Sequence, residues 1–513
     1  MRVLLVIPTF KYAIAYPEFL SISDFPTGFA YIAAALKQAG HEVFGLNPNN
    51  IVGYVSAEFM LKDVLTKRLK EIQPELVGLG GLCTDYKFLK DAIGIIRAFN
   101  PVPIVLGGQI VTNDAEDAMK ILQPDYGIAG EGEWAITQLA AHLAEGSDNF
   151  LGKGQVSFDQ VKRDIDSYPL PDYEPFGIQD MLDNFSMATR LLYRYSRPDP
   201  RPFGIVTARG CPFSCTFCTA HQSYRPRSMP AIIEELRITY ERYHYNILII
   251  LDELFAVNKE RMNEFSEAVI ECKSKYGWDF DWMFQTHASA KLDLESLKLA
   301  KKAGCFFFSY GLESASPVVL KSMDKKIQVC QVIEAIKLAE EAKIGFGANL
   351  IFGDIAETRE TYAESIAFWL TYCKSSFVFL SSLSPYPGSA VFEACRKKGM
   401  FKDKQKYYET IDQAQVNITS IPDRDYAGLK QMTQALEGTW LFTKSSQILK
   451  CEEVPDDGLL LRYLGGDYYK ITAQCPYCES EVVYKERLAD AKTFFWIGTG
   501  CPECGRKIKV VKE

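Results

Sequence analysis

Two hydrophobic rhythms alternate along this chain. Short apolar runs are separated by longer stretches in which apolar residues recur every three to four positions. Over residues 1–150, Val3–Ile7, Glu42–Leu46, Leu76–Leu79, Ile104–Leu106 and Tyr126–Ala129 read as strands. Gly28–Ala39, Val55–Ile72, Asp85–Asn100, Ala115–Leu122 and Glu133–Ala144 read as helices. Strands alternating with helices predict an α/β domain with a doubly wound parallel sheet and ligands at the carboxyl ends of its strands. Small residues stand at those ends: Gly80-Gly81, Gly107-Gly108 and Gly130-Glu131-Gly132-Glu133.

Residues 151–200 lose the rhythm. Tyr168-Pro-Leu-Pro-Asp-Tyr-Glu-Pro175 and Arg197-Pro-Asp-Pro-Arg-Pro202 read as a proline-rich linker. Over 201–400 the alternation returns as six strand–helix repeats, which predict a partial (β/α)6 barrel with its active face at the strand carboxyl ends. Residues 401–465 are mixed, with a helical stretch from Tyr426 to Leu449, and are expected to cap the barrel or enclose the substrate. Residues 466–513 are β-rich, and Val482–Tyr484 with Thr493–Ile497 suggests a hairpin.

Composition narrows the classes. The chain has 513 residues, 47% hydrophobic and 24% charged, which is ordinary for a globular protein of about three domains. A net charge of −8 disfavours a general nucleic-acid-binding surface. No apolar run reaches the roughly 18 residues of a membrane span. Fourteen cysteines without a secretory signal point to reduced thiols, metal ligation and a cytoplasmic setting.

Cysteine spacing carries the chemistry. Cys211, Cys215 and Cys218 form a Cys-x3-Cys-x2-Cys loop after the apolar Phe203–Ala208. Three close thiols suit neither a disulfide nor a closed tetrahedral site. They suit a cubane [4Fe-4S] cluster, holding three irons and leaving the fourth open to a small-molecule ligand. In the tail, Cys475-Pro-Tyr-Cys478 and Cys501-Pro-Glu-Cys504 supply four thiolates on two turns, a closed tetrahedral donor set. Zinc is expected there, and rubredoxin-like iron fits the same ligands. Cys83, Cys272, Cys305, Cys330, Cys373, Cys395 and Cys451 show no ligand spacing and read as free thiols.

The Cys-x3-Cys-x2-Cys loop, with Phe217 before its last cysteine, resembles the signature of radical S-adenosylmethionine (SAM) enzymes. The resemblance implies that the open iron chelates SAM, that one electron cleaves it to a 5′-deoxyadenosyl radical, and that Phe217 packs near the adenine. Asp252-Glu253-x-Phe255-x-x-Asn258 resembles the family segment near the SAM amino group. Gly311-Leu-Glu313-Ser314 and Gly353-x-x-x-Glu357-Thr358 are similar to its elements near the ribose and adenine. The arginine expected after the third strand is absent; Thr286-His287 stands in its place.

The first 150 residues resemble the cobalamin-binding domain that precedes many radical SAM enzymes. Gly107, Gly108 and Thr112 are similar to its Gly-Gly-x-x-x-Thr turn, and Gly130, Glu131, Gly132 and Glu133 to its Gly-Glu-Gly-Glu segment. None of the five histidines has Asp two positions before it, so the Asp-x-His-x-x-Gly motif that ligates cobalt from below is missing. Cobalamin is therefore expected without a histidine ligand; a flavodoxin-like domain that binds nothing is the alternative.

These resemblances imply a cobalamin-dependent radical SAM methyltransferase that moves a methyl group to an unactivated carbon of a small-molecule, lipid or natural-product substrate. An electron donor such as flavodoxin or ferredoxin is implied as partner. Radical cyclisation, rearrangement or redox chemistry with the same cofactors is one alternative, and a non-catalytic cobalamin-binding adaptor another.

Overall fold

Burial on both faces explains the near-continuous apolar runs of the first sheet. Its strands are β1 (Arg2–Val6), β2 (Glu42–Leu46), β3 (Leu76–Gly80), β4 (Ile104–Gly107), β5 (Tyr126–Ala129) and β6 (Val156–Phe158). They pair in parallel in the order β2-β1-β3-β4-β5-β6. The computed structural model describes residues 1–9, 25–51, 53–54, 56–146, 150–158, 164–185, 195–220, 223–401, 403–411, 416–438, 440–455, 467–488 and 495–512. These fall into two compact units, Met1–Ala188 with Pro385–Ala414, and Thr189–Ser384 with Gln415–Glu513.

In the first unit, helices follow the strands as the rhythm predicts. Ser56 caps Ala57–Ile72 by accepting a hydrogen bond from Phe59 N at 3.1 Å. Leu65, Leu69, Phe88, Leu89 and Ile93 pack on Leu4, Val6, Val77 and Leu79 of the sheet. Two segments join this unit that hydrophobic rhythm did not place there. Residues 156–158 of the proline-rich stretch form edge strand β6 beside β5. Tyr173 and Phe176 pack their rings on Phe25, and Asp172 pairs with Lys37 at 2.5 Å. The second segment lies beyond the barrel: Tyr408 stacks on Tyr86 at 5.4 Å and donates its hydroxyl to Asp114, while Lys404 bridges Asp114 and Asp117.

The second unit contains β7 (Pro202–Ile205), the short pair β8 (Ala208–Arg209) and β9 (Arg225–Pro226), β10 (Ile247–Ile250), β11 (Asp281–Thr286), β12 (Cys305–Glu313), β13 (Gly345–Phe352) and β14 (Phe377–Ser382). Strand β7 and strands β10 to β14 make one parallel sheet in chain order, with β7 and β14 at its edges, as a partial barrel requires. Trp282 and Phe284 of β11 form an aromatic layer with Phe255 and with Phe265 of helix Lys259–Tyr276. No helix among the described residues is long and apolar enough to cross a membrane.

Two expectations fail after the barrel. The helix that begins at Asp423 ends at Gly438, and Ser445–Glu453 is strand β15, so the stretch Tyr426–Leu449 is helical only in its first half. Strand β15 is held from both sides, antiparallel to β16 (Asp467–Gln474) and parallel to β19 (Lys507–Lys512). Those long-range ladders override any local helical bias. The tail hairpin is also different. Strand β17 (Glu481–Leu488) pairs with β16, and β18 (Phe495–Gly500) pairs with β19, so β17 and β18 lie at opposite edges of the order β17-β16-β15-β19-β18. Thr493 lies outside the described residues.

This five-stranded ribbon shares a core with the barrel. Ile471, Ala473, Val482, Tyr484, Ile508 and Val510 pack in one cluster with Tyr195, Ile247, Ile249 and Phe306. The contacts fall where barrel strands begin: Lys507 N donates to Ser375 O just before β14, and Arg506 pairs with Glu340 at 3.0 Å.

Candidate active site and metal centre

The three-cysteine loop leaves the barrel at the carboxyl end of its first strand. Antiparallel pairing of β8 with β9 closes the base of the loop, and Gly210 turns the chain with φ 81°. Cys215 is buried, while Cys211, Cys218 and Phe217 are half-buried. Cys218 N donates to Cys215 O at 3.1 Å, and Ala220 N donates to Cys218 Sγ at 3.4 Å. A second segment fastens the loop: Thr216 N donates to Met323 O at 3.0 Å, and Ser214 Oγ donates to Asp324 Oδ2 at 2.7 Å. Burial pushes the Cys211 and Cys215 thiols up, and the Lys325 charge pulls both back down. Three free thiols on one fastened loop fit three irons of a cubane.

Around this loop, the acidic residues singled out by sequence divide. Asp252 is 1% exposed, and its carboxylate accepts from Thr207 N at 2.6 Å and Thr207 Oγ1 at 2.5 Å. Arg261 donates to Thr207 O at 2.9 Å, closing a local clamp. Burial raises the Asp252 carboxyl to about 7. Glu253, its neighbour, is exposed and lies near enough to Cys211 for its charge to be felt there. At the end of β12, Glu313 has left-handed backbone (φ 65°) and pairs with Lys325 at 3.1 Å, both side chains more than nine-tenths buried. Gly311 stands two residues before it in the same strand. Ser314 Oγ accepts from Ser316 N and lies 3.2 Å from Ser365 Oγ, a local brace. Gly353 N donates to Glu357 Oε2 at 2.9 Å, and burial pushes the Glu357 carboxyl up to about 7. Where an arginine was expected, Thr286 donates to Ala256 O, and the His287 ring stacks on Phe213 with centroids 3.9 Å apart. Burial and the Lys325 charge hold His287 down at about 4, keeping it neutral.

Sequence reading missed Lys325, Thr207, Arg261 and the Phe213–His287 stack. Thr207 and Arg261 act through contacts with residues about fifty positions away in sequence, which no local spacing reveals. Lys325 stands in Met323-Asp-Lys-Lys326, a run that reads as solvated charge.

In the first unit, the glycine turns meet at the carboxyl ends of β3, β4 and β5. Gly108 has φ 81°, and a Cβ there would lie 2.7 Å from Gly81 N, so only glycine allows the approach of these two turns. Gly107 precedes it as the last residue of β4. Thr112 Oγ1 donates to Gly108 O at 3.0 Å and accepts from Gly130 N at 2.9 Å, stitching the second turn to the third. Gly132 precedes the helix that begins at Glu133, which is buried, and Glu131 accepts from Tyr168 Oη at 3.0 Å. The strand order reverses between β1 and β3, where open sheets of this kind bind ligands. A close-set rim of glycines at the carboxyl ends of β3, β4 and β5 fits a large planar cofactor such as cobalamin.

The tail cysteines form the second centre. One ligand atom from each of Cys475, Cys478, Cys501 and Cys504 lies within 4.8 Å of the others. Cys475 and Cys504 Sγ are 3.8 Å apart, and Cys478 and Cys501 Sγ 3.7 Å. The two knuckles have matching backbones: Glu479 N donates to Cys475 O, and Gly505 N to Cys501 O. The residue after each second cysteine is left-handed, Glu479 with φ 61° and Gly505 with φ 72°. A Cβ on Gly505 would lie 2.5 Å from Gly345 N, because that knuckle presses on the start of β13. Hydrogen bonding from Cys501 pulls the Cys504 thiol down, while burial pushes the Cys475 thiol up. This group could bind a metal.

Comparison with known proteins agrees with both halves. Residues 205–368 match the radical SAM superfamily, and residues 25–140 match the B12 binding domain. The chain is 28% identical over 433 residues to an uncharacterized methyltransferase of Pyrococcus horikoshii, covering 80% of this chain and 87% of that protein. It is 26% identical to the anaerobic magnesium-protoporphyrin IX monomethyl ester cyclase of Cereibacter sphaeroides, covering 74% of this chain and 62% of that one. In fold it is similar to the radical SAM methyltransferase TsrM of Kitasatospora setae, solved with cobalamin and a [4Fe-4S] cluster. The TM-score is 0.59 at 18% identity, covering 77% of this chain and 75% of that chain.

Proposed function

We propose that this chain is a radical SAM enzyme with a B12-binding domain that transfers a methyl group to an unactivated carbon of a small molecule, a lipid or a natural product included. The observation that carries the proposal is the Cys211–Cys218 loop, fastened at the carboxyl end of a parallel barrel with three free thiols. When bound, the cluster supplies one electron for reductive SAM cleavage, and cobalamin supplies a methyl carrier. Cys211, Cys215 and Cys218 would hold the cluster. Glu253, exposed next to buried Asp252, would meet the SAM amino group, and Asp252 would act behind it through Thr207. Glu313 and Gly353 stand at strand ends suited to the ribose and adenine, and Phe217 lines the same loop. Gly107, Gly108, Thr112 and Gly130–Glu133 form the cobalamin rim. Zinc at the four tail thiols, a flavodoxin- or ferredoxin-like donor and a cytoplasmic setting complete the reading.

The test is the full-length chain, reconstituted anaerobically, reduced, and given SAM labelled in its methyl group with small-molecule extracts. 5′-Deoxyadenosine, S-adenosylhomocysteine and label in an extract component are expected. Absence of 5′-deoxyadenosine above that of a Cys211→Ala, Cys215→Ala, Cys218→Ala variant overturns the proposal. Similarity to a cyclase favours one second reading, a radical cyclisation with the same cofactors. It predicts 5′-deoxyadenosine with no label transferred.

A further inference from the structure

We propose that Lys325 is a positioning residue for electron entry: its fixed charge, opposed by Glu313, sets the reduction potential of the cluster held by Cys211, Cys215 and Cys218. The inference rests on the cluster reading above and adds a residue that no motif marks.

The geometry begins with how the lysine is placed. The segment that carries it is fastened directly to the cysteine loop, through Thr216 N to Met323 O at 3.0 Å, Thr216 Oγ1 to Ser322 O at 3.3 Å, and Ser214 Oγ to Asp324 Oδ2 at 2.7 Å. Asp324 adopts left-handed backbone (φ 51°), and Lys325 N then donates to Leu320 O at 2.9 Å, turning the lysine inward. Its ammonium meets Glu313 Oε1 at 3.1 Å, with side-chain exposures of 8% and 9%. The surroundings yield to this pair at a cost. Glu313 takes φ 65°, a region that disfavours residues with a Cβ, and such a residue persists only where its surroundings hold it. A side chain on Gly311 would lie 2.4 Å from Lys325 Nζ and 2.5 Å from Glu313 Oε1. Lys325 thus follows directly on Met323 and Asp324, the two residues that accept hydrogen bonds from Thr216 and Ser214 of the cysteine loop.

The consequence is electrostatic. Three thiolates outweigh the charge of an oxidised cubane, and adding an electron makes the assembly more negative still. A buried cation beside it stabilises the reduced form more than the oxidised one, and a buried anion does the reverse. Burial also spares the pair from screening by salt. Lys325 and Glu313 therefore pull the potential in opposite directions, which gives the test its sign.

The experiment is an anaerobic redox titration of the reconstituted full-length chain without SAM, followed by electron paramagnetic resonance. Lys325→Met is expected to shift the one-electron equilibrium at least tenfold towards the oxidised cluster, a potential lower by about 59 mV. Glu313→Gln should shift it the other way, and Lys325→Arg should stay close to the parent. A purely structural role would reduce cluster content without ordered shifts of opposite sign. Shifts in the same direction, or no shift, overturn the proposal. Should Lys325→Met take up no cluster, Glu313→Gln decides alone: a raised potential supports the proposal, and an unchanged or lowered one overturns it. A parent chain that loads no cluster overturns the cluster reading and this proposal together, whereas a loaded cluster without methyl transfer leaves the titration valid.

Discussion

The two cysteine centres of the second unit differ in the way their backbones are held. The Cys211–Cys218 loop hangs from the carboxyl end of β7 and is secured by side chains and by a neighbouring turn, through Ser214, Thr216 and the 322–325 segment. The four tail thiols ride on two matching knuckles, each closed by its own backbone hydrogen bonds, and the Cys501–Gly505 knuckle presses against the start of β13. A loop with three thiols leaves coordination open for chemistry, and four convergent thiols leave none. One barrel thus keeps a reactive end and a sealed end.

The contrast breaks most sharply at its reactive end. Replacing Cys211, Cys215 and Cys218 by Ala should reduce 5′-deoxyadenosine to the level of a protein-free blank, while metal analysis still finds roughly one equivalent in the tail. Loss of both metals together would show that the centres are not independent. At the sealed end, Cys501→Ser should release the tail metal and lower stability by more than about 4 kcal/mol in denaturant unfolding, because that thiol is fully buried in the shared core. Deleting the whole tail is a blunter instrument, since it also exposes Ile247, Ile249 and Phe306.

Titration sharpens the comparison at the reactive end. The Asp252 carboxyl sits at about 7 in the folded chain against 3.8 ordinarily. Folded protein therefore holds a proton that the unfolded chain has released, and stability falls as pH rises from 4 towards 7, then levels off. From about pH 5 to pH 7 the loss from this group is roughly 2–3 kcal/mol, and Asp252→Asn should flatten that part of the profile. An unchanged slope in the variant would assign it elsewhere, Glu357 being the next candidate. The knuckles give the smallest effects. Gly505→Ala should cost about 1–3 kcal/mol, from left-handed strain and collision with the start of β13. Glu479→Gly at the equivalent position should stay within about 0.5 kcal/mol, since relief of strain offsets the added freedom of the unfolded chain. Equal costs at the two positions would refute the idea that only one knuckle bears on the barrel.

Legibility in the sequence followed the range of the interactions. The α/β alternation, the Cys-x3-Cys-x2-Cys loop and the paired tail knuckles are local patterns, and each appears where spacing puts it. Strand β15 does not, because its conformation is fixed by β16 and β19, which come later in the chain. Strand β6 is three residues inside a proline-rich stretch, too short for periodicity to register. Asp252 was legible as an acid at a strand end, but its partners Thr207 and Arg261 were not, so its local role as a clamp came only from the structure. Lys325 hid for the opposite reason: two adjacent lysines read as surface, and a left-handed turn at Asp324 sends one of them inside.

The shared core of barrel and ribbon also sets an order of events during synthesis. Ile247, Ile249 and Phe306 leave the ribosome well before Ile471, Tyr484 and Ile508, the residues that cover them. Until the last strands emerge, the nascent barrel carries an uncovered apolar floor that includes Tyr195, stacked on Phe377. Such a surface invites chaperone binding or aggregation while it waits. A metal held by the four tail thiols would then make its supply govern the yield of folded chain as well as its stability, with scarcity felt first in newly made chains.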